Sequence, residues 1–266
     1  MSRLLLALTF ASALGIAGCA ATIREEAGRA AAGLPPETAA SLLDDAWSRL
    51  ERGKRIFDIR LADRARVLHG QGAIVYRNDP LRLRLDVFGP HSTEVLALAQ
   101  EGDSMTVRLP QEDACVSGPV GDPAFGRLAD GRTFTGQELL GALLGAYDVS
   151  ALVRGPADTL AYATGDRWVV ALLEPDRAHR FAYAAADSSL LEYRQERGGK
   201  SAYRVRFSDY RTVGGKRRPF RVELEDRAER RSIRADVRSE SFGTDLPDEA
   251  YHVCSAGAYP TRQGNR

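Results

Sequence analysis

The sequence predicts a mainly β protein, in which a curved antiparallel sheet of about ten or eleven strands forms an incomplete β-barrel with a helical lid. Three observations lead to this fold class. Apolar and charged residues alternate along several segments, turn residues separate those segments, and one short segment is apolar on nearly all sides. The 266 residues are 44% hydrophobic and 27% charged, which is ordinary for a globular protein and argues against a disordered chain.

Alternation with a period of two is clearest over 81–87, 203–207, 220–224 and 233–237. Each of these segments has one apolar and one charged face, which is typical of a strand whose outer face is solvated. Because charged residues alternate on nearly every predicted strand, no sheet made of these strands can be covered on both faces. One strongly curved sheet with its apolar face inside satisfies the pattern.

The inward residues of these strands form a concave apolar wall of the kind that lines a ligand cavity. They are Leu81, Leu83, Leu85, Val87, Tyr203, Val205, Phe207, Val222, Leu224, Ile233 and Val237. The same alternation would also line a fully packed core, and alternation alone does not separate the two. Two helical segments favour the cavity, because together they could cover a concave sheet and open.

The first helical segment, 38–53, places Leu42, Leu43, Trp47 and Leu50 on one stripe. The second, 136–147, is apolar on nearly every side, and a helix of that kind must be buried or must cover an apolar surface. We therefore interpret its leucines as the lid. These are Leu139, Leu140, Leu143 and Leu144.

The N-terminus predicts export. Arg3 precedes an apolar run that is too short for a transmembrane helix, and small residues follow it. The segment from Ile16 to Cys19 resembles a bacterial lipobox, which implies cleavage between Gly18 and Cys19 and lipidation of the Cys19 sulfur. Ala at position 20 favours the outer membrane in that resemblance. We expect a signal peptide over 1–18, a lipidated flexible tether over 19–36, one domain over 37–255 and a loose tail over 256–266.

An exported chain enters an oxidising compartment, where Cys115 and Cys254 could form a disulfide. Two unrelated buried thiols remain the alternative. The formal net charge of +1 argues against a nucleic-acid partner. Between Arg194 and Arg238 there are fifteen basic and seven acidic residues, so one face could meet anionic head groups, or could simply be a solvated outer face.

The sequence contains no catalytic or metal-binding motif of the common kinds. The four histidines are isolated from one another, and neither a nucleophile elbow nor a phosphate-binding loop occurs. We therefore expect a protein that is not an enzyme and that needs no metal or cofactor.

Taken together, the lipoprotein signal, the amphipathic helix, the antiparallel meander and the apolar lid resemble the LolA/LolB superfamily. The most specific stretch is Leu81 to Leu98, which is similar to the strand-loop-strand of LolB. The resemblance covers roughly 40–250. It implies an incomplete barrel whose cavity holds lipoprotein acyl chains, and an insertion loop at Pro90 and His91. Where LolB carries an exposed leucine in that loop, this chain has His91.

Three hypotheses follow. The first is a LolB-like lipoprotein, anchored at the bacterial outer membrane and facing the periplasm. It would bind acyl chains of lipoproteins or phospholipids and receive them from a periplasmic carrier protein. The second is a sensory lipoprotein of the same fold that recognises another lipid or a protein partner. The third is a structural accessory protein with a solid barrel. His91 favours the second and third, and the lid favours the first.

Overall fold

The computed structural model describes residues 18–29, 33–48, 50–62, 67–78, 80–120, 136–153, 155–198, 200–226, 230–243 and 247–254. The helices are α1 (Gly18–Arg29), α2 (Pro36–Ser48), α3 (Gly136–Leu144) and α4 (Val149–Leu152). The strands are β1 (Arg52–Ala62), β2 (Val67–Asn78), β3 (Leu81–Phe88), β4 (Glu94–Glu101), β5 (Ser104–Leu109), β6 (Ala114–Pro119), β7 (Asp158–Thr164), β8 (Arg167–Leu173), β9 (Arg177–Ala184), β10 (Leu190–Arg197), β11 (Lys200–Val213), β12 (Lys216–Asp226) and β13 (Arg231–Phe242).

All of these strands belong to one antiparallel sheet, in the order β6-β5-β4-β3-β2-β1-β13-β12-β11-β10-β9-β8-β7. Two meanders, β1–β6 and β7–β13, therefore meet where β1 pairs with β13. Strands β6 and β7 stand at the two edges, so the sheet is curved but not closed. The predicted fold class is confirmed.

Alternating burial along the strands gives the sheet one apolar and one charged face. In β3, Leu83, Leu85 and Val87 are buried, whereas Arg84 and Asp86 lie on the other face and pair at 2.9 Å. This is the alternation that the sequence shows, and it puts the hydrophobic core on the concave face.

The sheet has two ends, which position everything that follows. We call the upper end the one that holds the turns β1–β2, β3–β4, β5–β6, β8–β9, β10–β11 and β12–β13. The lower end holds the turns β2–β3, β4–β5, β7–β8, β9–β10 and β11–β12. Helix α2 lies at the lower end, where the amide N–H of Asn78 donates to the Glu51 carbonyl oxygen that follows the helix.

Helix α3 fills the concave face. It lies in the long connection between the two edge strands, and Leu140, Leu143 and Leu144 are buried in the main core cluster. Leu139 is partly buried against the same cluster. The four predicted lid residues therefore all pack on the sheet.

The expected flexible tether over 19–36 is wrong for its first part, because Gly18–Arg29 forms α1 and packs on the convex face of β7–β9. Ile23 is buried there among small and aliphatic residues of the three strands. Glu26 accepts hydrogen bonds from Arg180 and Tyr162 at 2.7 and 3.0 Å. Residues 33–34 then run along the edge of β7, where the Leu34 N–H donates to the Ala161 carbonyl oxygen.

The C-terminal segment 247–254 crosses the convex face of the other meander. Arg82 contacts Asp248 at 2.5 Å, and Arg84 donates to the carbonyl oxygens of Ala250 and His252. The segment ends at Cys254, which is joined in a disulfide to Cys115 of edge strand β6 across a Cα–Cα distance of 6.6 Å. That distance is ordinary for a disulfide.

The structure has thirteen strands where the alternation predicts ten or eleven. The two additional strands are the edges. Strand β6 contains Gly118 and Pro119, and β7 contains small alanines, so neither shows strong alternation. Residues 1–17 of the signal peptide predicted over 1–18, and the tail predicted over 256–266, lie outside the described residues. No described helix combines the length and the apolar character needed to cross a membrane.

Candidate functional site

The predicted cavity wall is a packed core. The buried members are Leu83, Leu85, Val87, Tyr203, Val205, Phe207, Val222, Leu224 and Val237; Leu81 and Ile233 are partly buried. They share the concave face, as the alternation predicts. The apolar side chains of α3 pack against them, and none of these residues lines the 710 Å³ cavity described below.

Helix α3 is held in place at its C-terminus by backbone and side-chain hydrogen bonds. Gly145 has a φ of +65°, its N–H donates to Ala142, and the N–H of Ala146 donates to Gly141. This pair of bonds is a Schellman motif. A Cβ atom at Gly145 would lie 2.5 Å from the Pro219 ring, so glycine is required there both by φ and by space.

Two arginines complete this cap. Arg55 donates to the Leu143 carbonyl oxygen and Arg218 to that of Leu144, both at 2.6 Å. Both guanidinium groups also contact the buried Glu240 carboxylate, at 2.7 and 3.1 Å. Burial raises the pKa of Glu240, but the two arginines outweigh it and the pKa lies below its ordinary value of 4.5. The carboxylate stays charged and links the helix end to β1, β12 and β13.

A second cluster of buried polar side chains surrounds the first turn of α3. Gln195 donates to Glu138 at 2.8 Å. His179 lies 2.7 Å from the Tyr193 hydroxyl through Nδ1 and 3.2 Å from Glu174 through Nε2. Burial lowers the pKa of His179 to about 4, although Glu174 acts in the opposite direction. The imidazole is therefore neutral at pH 7, and the core at this end is polar and fixed.

A cavity of about 710 Å³ lies at the lower end. Helix α2, the C-terminal end of α3 and the turns β9–β10 and β11–β12 surround it. Its lining residues form an apolar wall and a polar mouth. They are Glu37, Thr38, Ser41, Leu42, Leu50, Gly145, Trp168, Tyr183, Asp187, Ser188, Ser189, Leu190, Tyr210, Gly215, Lys216, Arg217, Arg218, Pro219 and Phe242.

The chemistry of this cavity is that of an amphiphile site. Burial raises the pKa of Tyr183 and of Tyr210, so both phenols are neutral at pH 7. Lys216 and Arg217 stand at the mouth, where they pair with Glu51 at 3.0 Å and Asp187 at 3.2 Å. Hydrogen bonds from Ser189 lower the pKa of Asp187. An apolar wall with cations at its mouth suits an acyl chain with an anionic head.

Sequence reasoning missed this cavity because its residues come from the lower ends of strands β8–β13, from turns and from helix ends, and none of them lies in the four segments whose alternation is clearest. One signal was present. Lys216, Arg217 and Arg218 form the densest basic cluster of the sequence, next to the turn at Gly214 and Gly215. Alternation cannot show that this turn folds over an apolar wall.

The loop at Pro90 and His91 lies at the upper end as a short 3₁₀ turn, Pro90–Ser92. His91 is exposed and has a φ of 60°, a left-handed conformation that histidine tolerates better than most side chains. The loop is closed by a hydrogen bond from the Gly89 N–H to the Thr93 carbonyl oxygen at 2.8 Å. It presents an imidazole to solvent where LolB presents a leucine.

Within the described residues, no three His, Cys, Asp or Glu side chains converge as metal ligands would. No protein-family model and no curated protein matches the chain. Several solved structures, in contrast, match the chain in fold. A DUF1329 family protein from Desulfovibrio piger superposes with a TM-score of 0.64 at 10% identity, over 82% of this chain and 98% of that one.

Two further solved structures show the same likeness. A LolA superfamily protein from Nitrosomonas europaea has a TM-score of 0.56 at 14% identity, over 80% and 97% of the two chains. A domain from Vibrio parahaemolyticus, titled an outer membrane lipoprotein-sorting protein, has a TM-score of 0.57 at 10% identity, over 80% and 94%. With its open antiparallel sheet and its internal helix, the chain has the fold of the LolA/LolB-like superfamily.

Proposed function

We propose that the protein is an outer-membrane lipoprotein that faces the periplasm and binds acyl chains in the cavity at the lower end. The cavity itself is the observation that carries the proposal. Its volume falls in the range of small-molecule sites, roughly 300–1,000 Å³. It combines an apolar wall with a charged mouth, where Lys216 and Arg217 pair with carboxylates, and the lipoprotein-sorting domain from Vibrio parahaemolyticus has the same fold.

Its occupant would be an acyl chain of a lipoprotein or a phospholipid, delivered by a periplasmic carrier protein. Binding needs no bond chemistry, only a difference in affinity between carrier, cavity and membrane. The lower end is also the end that carries α2, so motion of this one helix would widen the mouth without disturbing the cap on α3.

The test is uptake of a fluorescent fatty acid, together with native mass spectrometry of the purified protein. Thr38 on α2 lines the cavity, so Thr38→Trp fills it, whereas Ala40 is exposed on the same helix and Ala40→Trp is the matched control. We expect Thr38→Trp to lose uptake and Ala40→Trp to keep it. Equal uptake by the two variants would place the ligand elsewhere.

Anchoring at Cys19 is the second part of the proposal. Gly18 and Cys19 begin α1, and the lipobox resemblance places cleavage between them. Growth with labelled palmitate should label the protein, and Cys19→Ser should abolish the label and move the protein from the outer-membrane fraction to the periplasm. Label that persists in Cys19→Ser would refute the anchor.

Insertion of cargo is the third part, and the loop argues that this protein holds acyl chains without inserting them. A neutral or protonated imidazole at position 91 is not an apolar wedge. Replacing His91 by Leu tests this, with His91→Asn as the control because asparagine also tolerates positive φ. We expect transfer of lipidated cargo into membranes to rise with His91→Leu alone.

One observation favours a second candidate, a sensory or structural accessory protein that works through its outer surface. The concave face is packed by α3, which leaves the interior without the cavity that the strands predict. A protein that purifies without lipid and takes up no fatty acid would establish this second function over the first.

A further inference from the structure

An apolar strip is exposed at the upper end of the sheet. Val67 and Leu68, at the start of β2, are each 45% exposed and are the large hydrophobic residues left exposed in the described part of the chain. In the register of the sheet, Leu68 lies beside Leu61 of β1, which lies beside Ile233 of β13. The strip therefore crosses three neighbouring strands at the upper end.

Cations border this strip on neighbouring strands. Arg60 on β1, Arg230 before β13, and Arg197 and Lys200 on either side of the β10–β11 turn are all exposed. The strands that carry them are consecutive in the sheet, from β10 to β1. Exposed carboxylates of the described upper-end turns lie further out, at Asp176 in β8–β9 and at Glu112 and Asp113 in β5–β6.

Helix α1 brings the N-terminus to this same end. Arg24 contacts Asp158, the first residue of β7, whereas Glu26 contacts Tyr162, which lies four positions closer to the lower end. The helix thus begins toward the upper end and runs downward along the convex face. Cys19 lies in its first turn, so the proposed lipid would emerge beside the upper end.

We propose that the upper end docks on an anionic lipid surface, with Val67 and Leu68 entering the interface and Arg60, Arg197, Lys200 and Arg230 meeting the head groups. The apolar strip supplies buried area, and the cations supply attraction to anionic lipids. The proposal rests on the lipid anchor of the proposed function for its orientation. It places the acyl-chain cavity at the opposite end, facing away from the membrane.

The experiment uses the mature protein from bacterial membranes, reconstituted into vesicles whose lipids carry bromine on their acyl chains. Leu68→Trp places an indole in the strip, and bromine quenches an indole only on contact. Arg52→Trp, at the lower end of β1, is the matched control. The native Trp47 and Trp168 also lie at the lower end and set the baseline.

We expect quenching of Trp in Leu68→Trp, stronger with phosphatidylglycerol than with phosphatidylcholine vesicles, and none above baseline in Arg52→Trp. Adding Arg197→Gln and Lys200→Gln should reduce the quenching severalfold, while adding Arg52→Gln and Lys54→Gln, which remove the same charge at the lower end, should not. Equal, absent or lipid-independent quenching in the two Trp variants would overturn the proposal.

Flotation of the same vesicles separates the two proposals. Protein that floats without quenching in Leu68→Trp has its anchor but does not dock, which overturns the docking alone. Protein that does not float is bound to the vesicles neither by the anchor nor by the upper end, which overturns the docking. The palmitate label on Cys19 then decides separately whether the anchor is present.

Discussion

Glu240 joins two buried arginines to the end of one helix, and each of the three groups depends on the other two. Replacing Arg55 by Met leaves Glu240 with one cation and the Leu143 carbonyl oxygen without its donor. Removing one partner of a buried ion pair costs about 3–5 kcal/mol. We expect Arg55→Met to lower the free energy of unfolding in urea by that amount.

The control is Arg238→Met, because Arg238 pairs with Asp58 at 2.6 Å with both side chains half exposed. Such a surface pair contributes less than about 1 kcal/mol. Two variants of equal stability would show that the cap on α3 is not a stabilising unit.

His179 gives the fold a pH dependence of its own. Its pKa of about 4 in the folded protein lies below the ordinary 6.5, so the unfolded chain binds the proton first. Stability from this group is therefore complete above pH 6.5 and is lost as the pH falls toward 4. We expect the urea midpoint to fall across this window, and to fall less in His179→Gln.

The same slope in His179→Gln as in the parent protein would show that other groups set the pH dependence. Glu240 acts in a lower range, because its depressed pKa makes stability fall only below about pH 4.5.

At the scale of residues, the sequence predicts which side chains face inward. It does not predict which partner satisfies a polar side chain at an inward position. Arg55 shares the inward face of β1 with Phe57 and Ile59. A charged residue at an inward position is a signal of a buried pair. Its partner Glu240 is 185 residues away, and only the β1–β13 register brings the two together.

At the scale of elements, α3 depends on its terminating glycine. Gly145→Ala would force an L-residue into positive φ and bring Cβ against Pro219. The turn residue Gly165 has a similar φ of +59°, with nothing within 4 Å of its Cβ position, so Gly165→Ala is the matched control. Positive φ costs an L-residue about 1–2 kcal/mol.

We therefore expect both variants to be destabilised in thermal unfolding, and Gly145→Ala to be destabilised more, by the additional displacement of Pro219. Equal losses would mean that α3 can shift without cost. That result would also favour a mobile lid over a fixed core helix.

Elements with strong patterns were predictable, and elements with weak patterns were not. Apolar and charged residues alternate over the whole length of β3, and α3 is apolar on nearly every side. The local sequence of each element therefore indicates what surrounds it. Helix α1 carries Arg24, Glu25 and Glu26 among alanines, a composition that resembles a tether. Among the side chains described in this helix, Ile23 is the one large buried residue, and that is too little signal to predict docking on β7–β9.

At the scale of the whole molecule, the disulfide ties an edge strand to the C-terminal segment. Its two cysteines are 139 residues apart. In the chain-entropy model, closing a loop of this size contributes about 5 kcal/mol. We expect reduction, or the double change Cys115→Ser with Cys254→Ser, to lower the free energy of unfolding by several kcal/mol.

Mass spectrometry after alkylation without reductant checks the bond directly, since neither thiol should be labelled. Reductant should have no effect on the unfolding of the double variant. A parent protein that is equally insensitive to reductant would show that the link contributes nothing to stability.

The candidate site was only half predictable at this scale. The concave, apolar face is a property of the strands, and the alternation of Leu83 with Arg84 indicates it. Whether the concavity is empty depends on how deeply α3 enters it, which Arg55, Arg218 and Glu240 decide from three neighbouring strands of the sheet. The cavity described above lies at the lower end, where strand ends, turns and helix ends together set its shape.

The pairing of β1 with β13 has a consequence for the order of folding. Phe57 lies opposite Val237 in this pairing, 180 positions later in the chain. Hairpins such as β2–β3 close quickly because their partners are adjacent, whereas contacts between distant segments form slowly. A chain that is synthesised from its N-terminus presents β1 long before β13. The central seam of the sheet can therefore form only after β13 has been made, and until then one side of β1 has no partner strand.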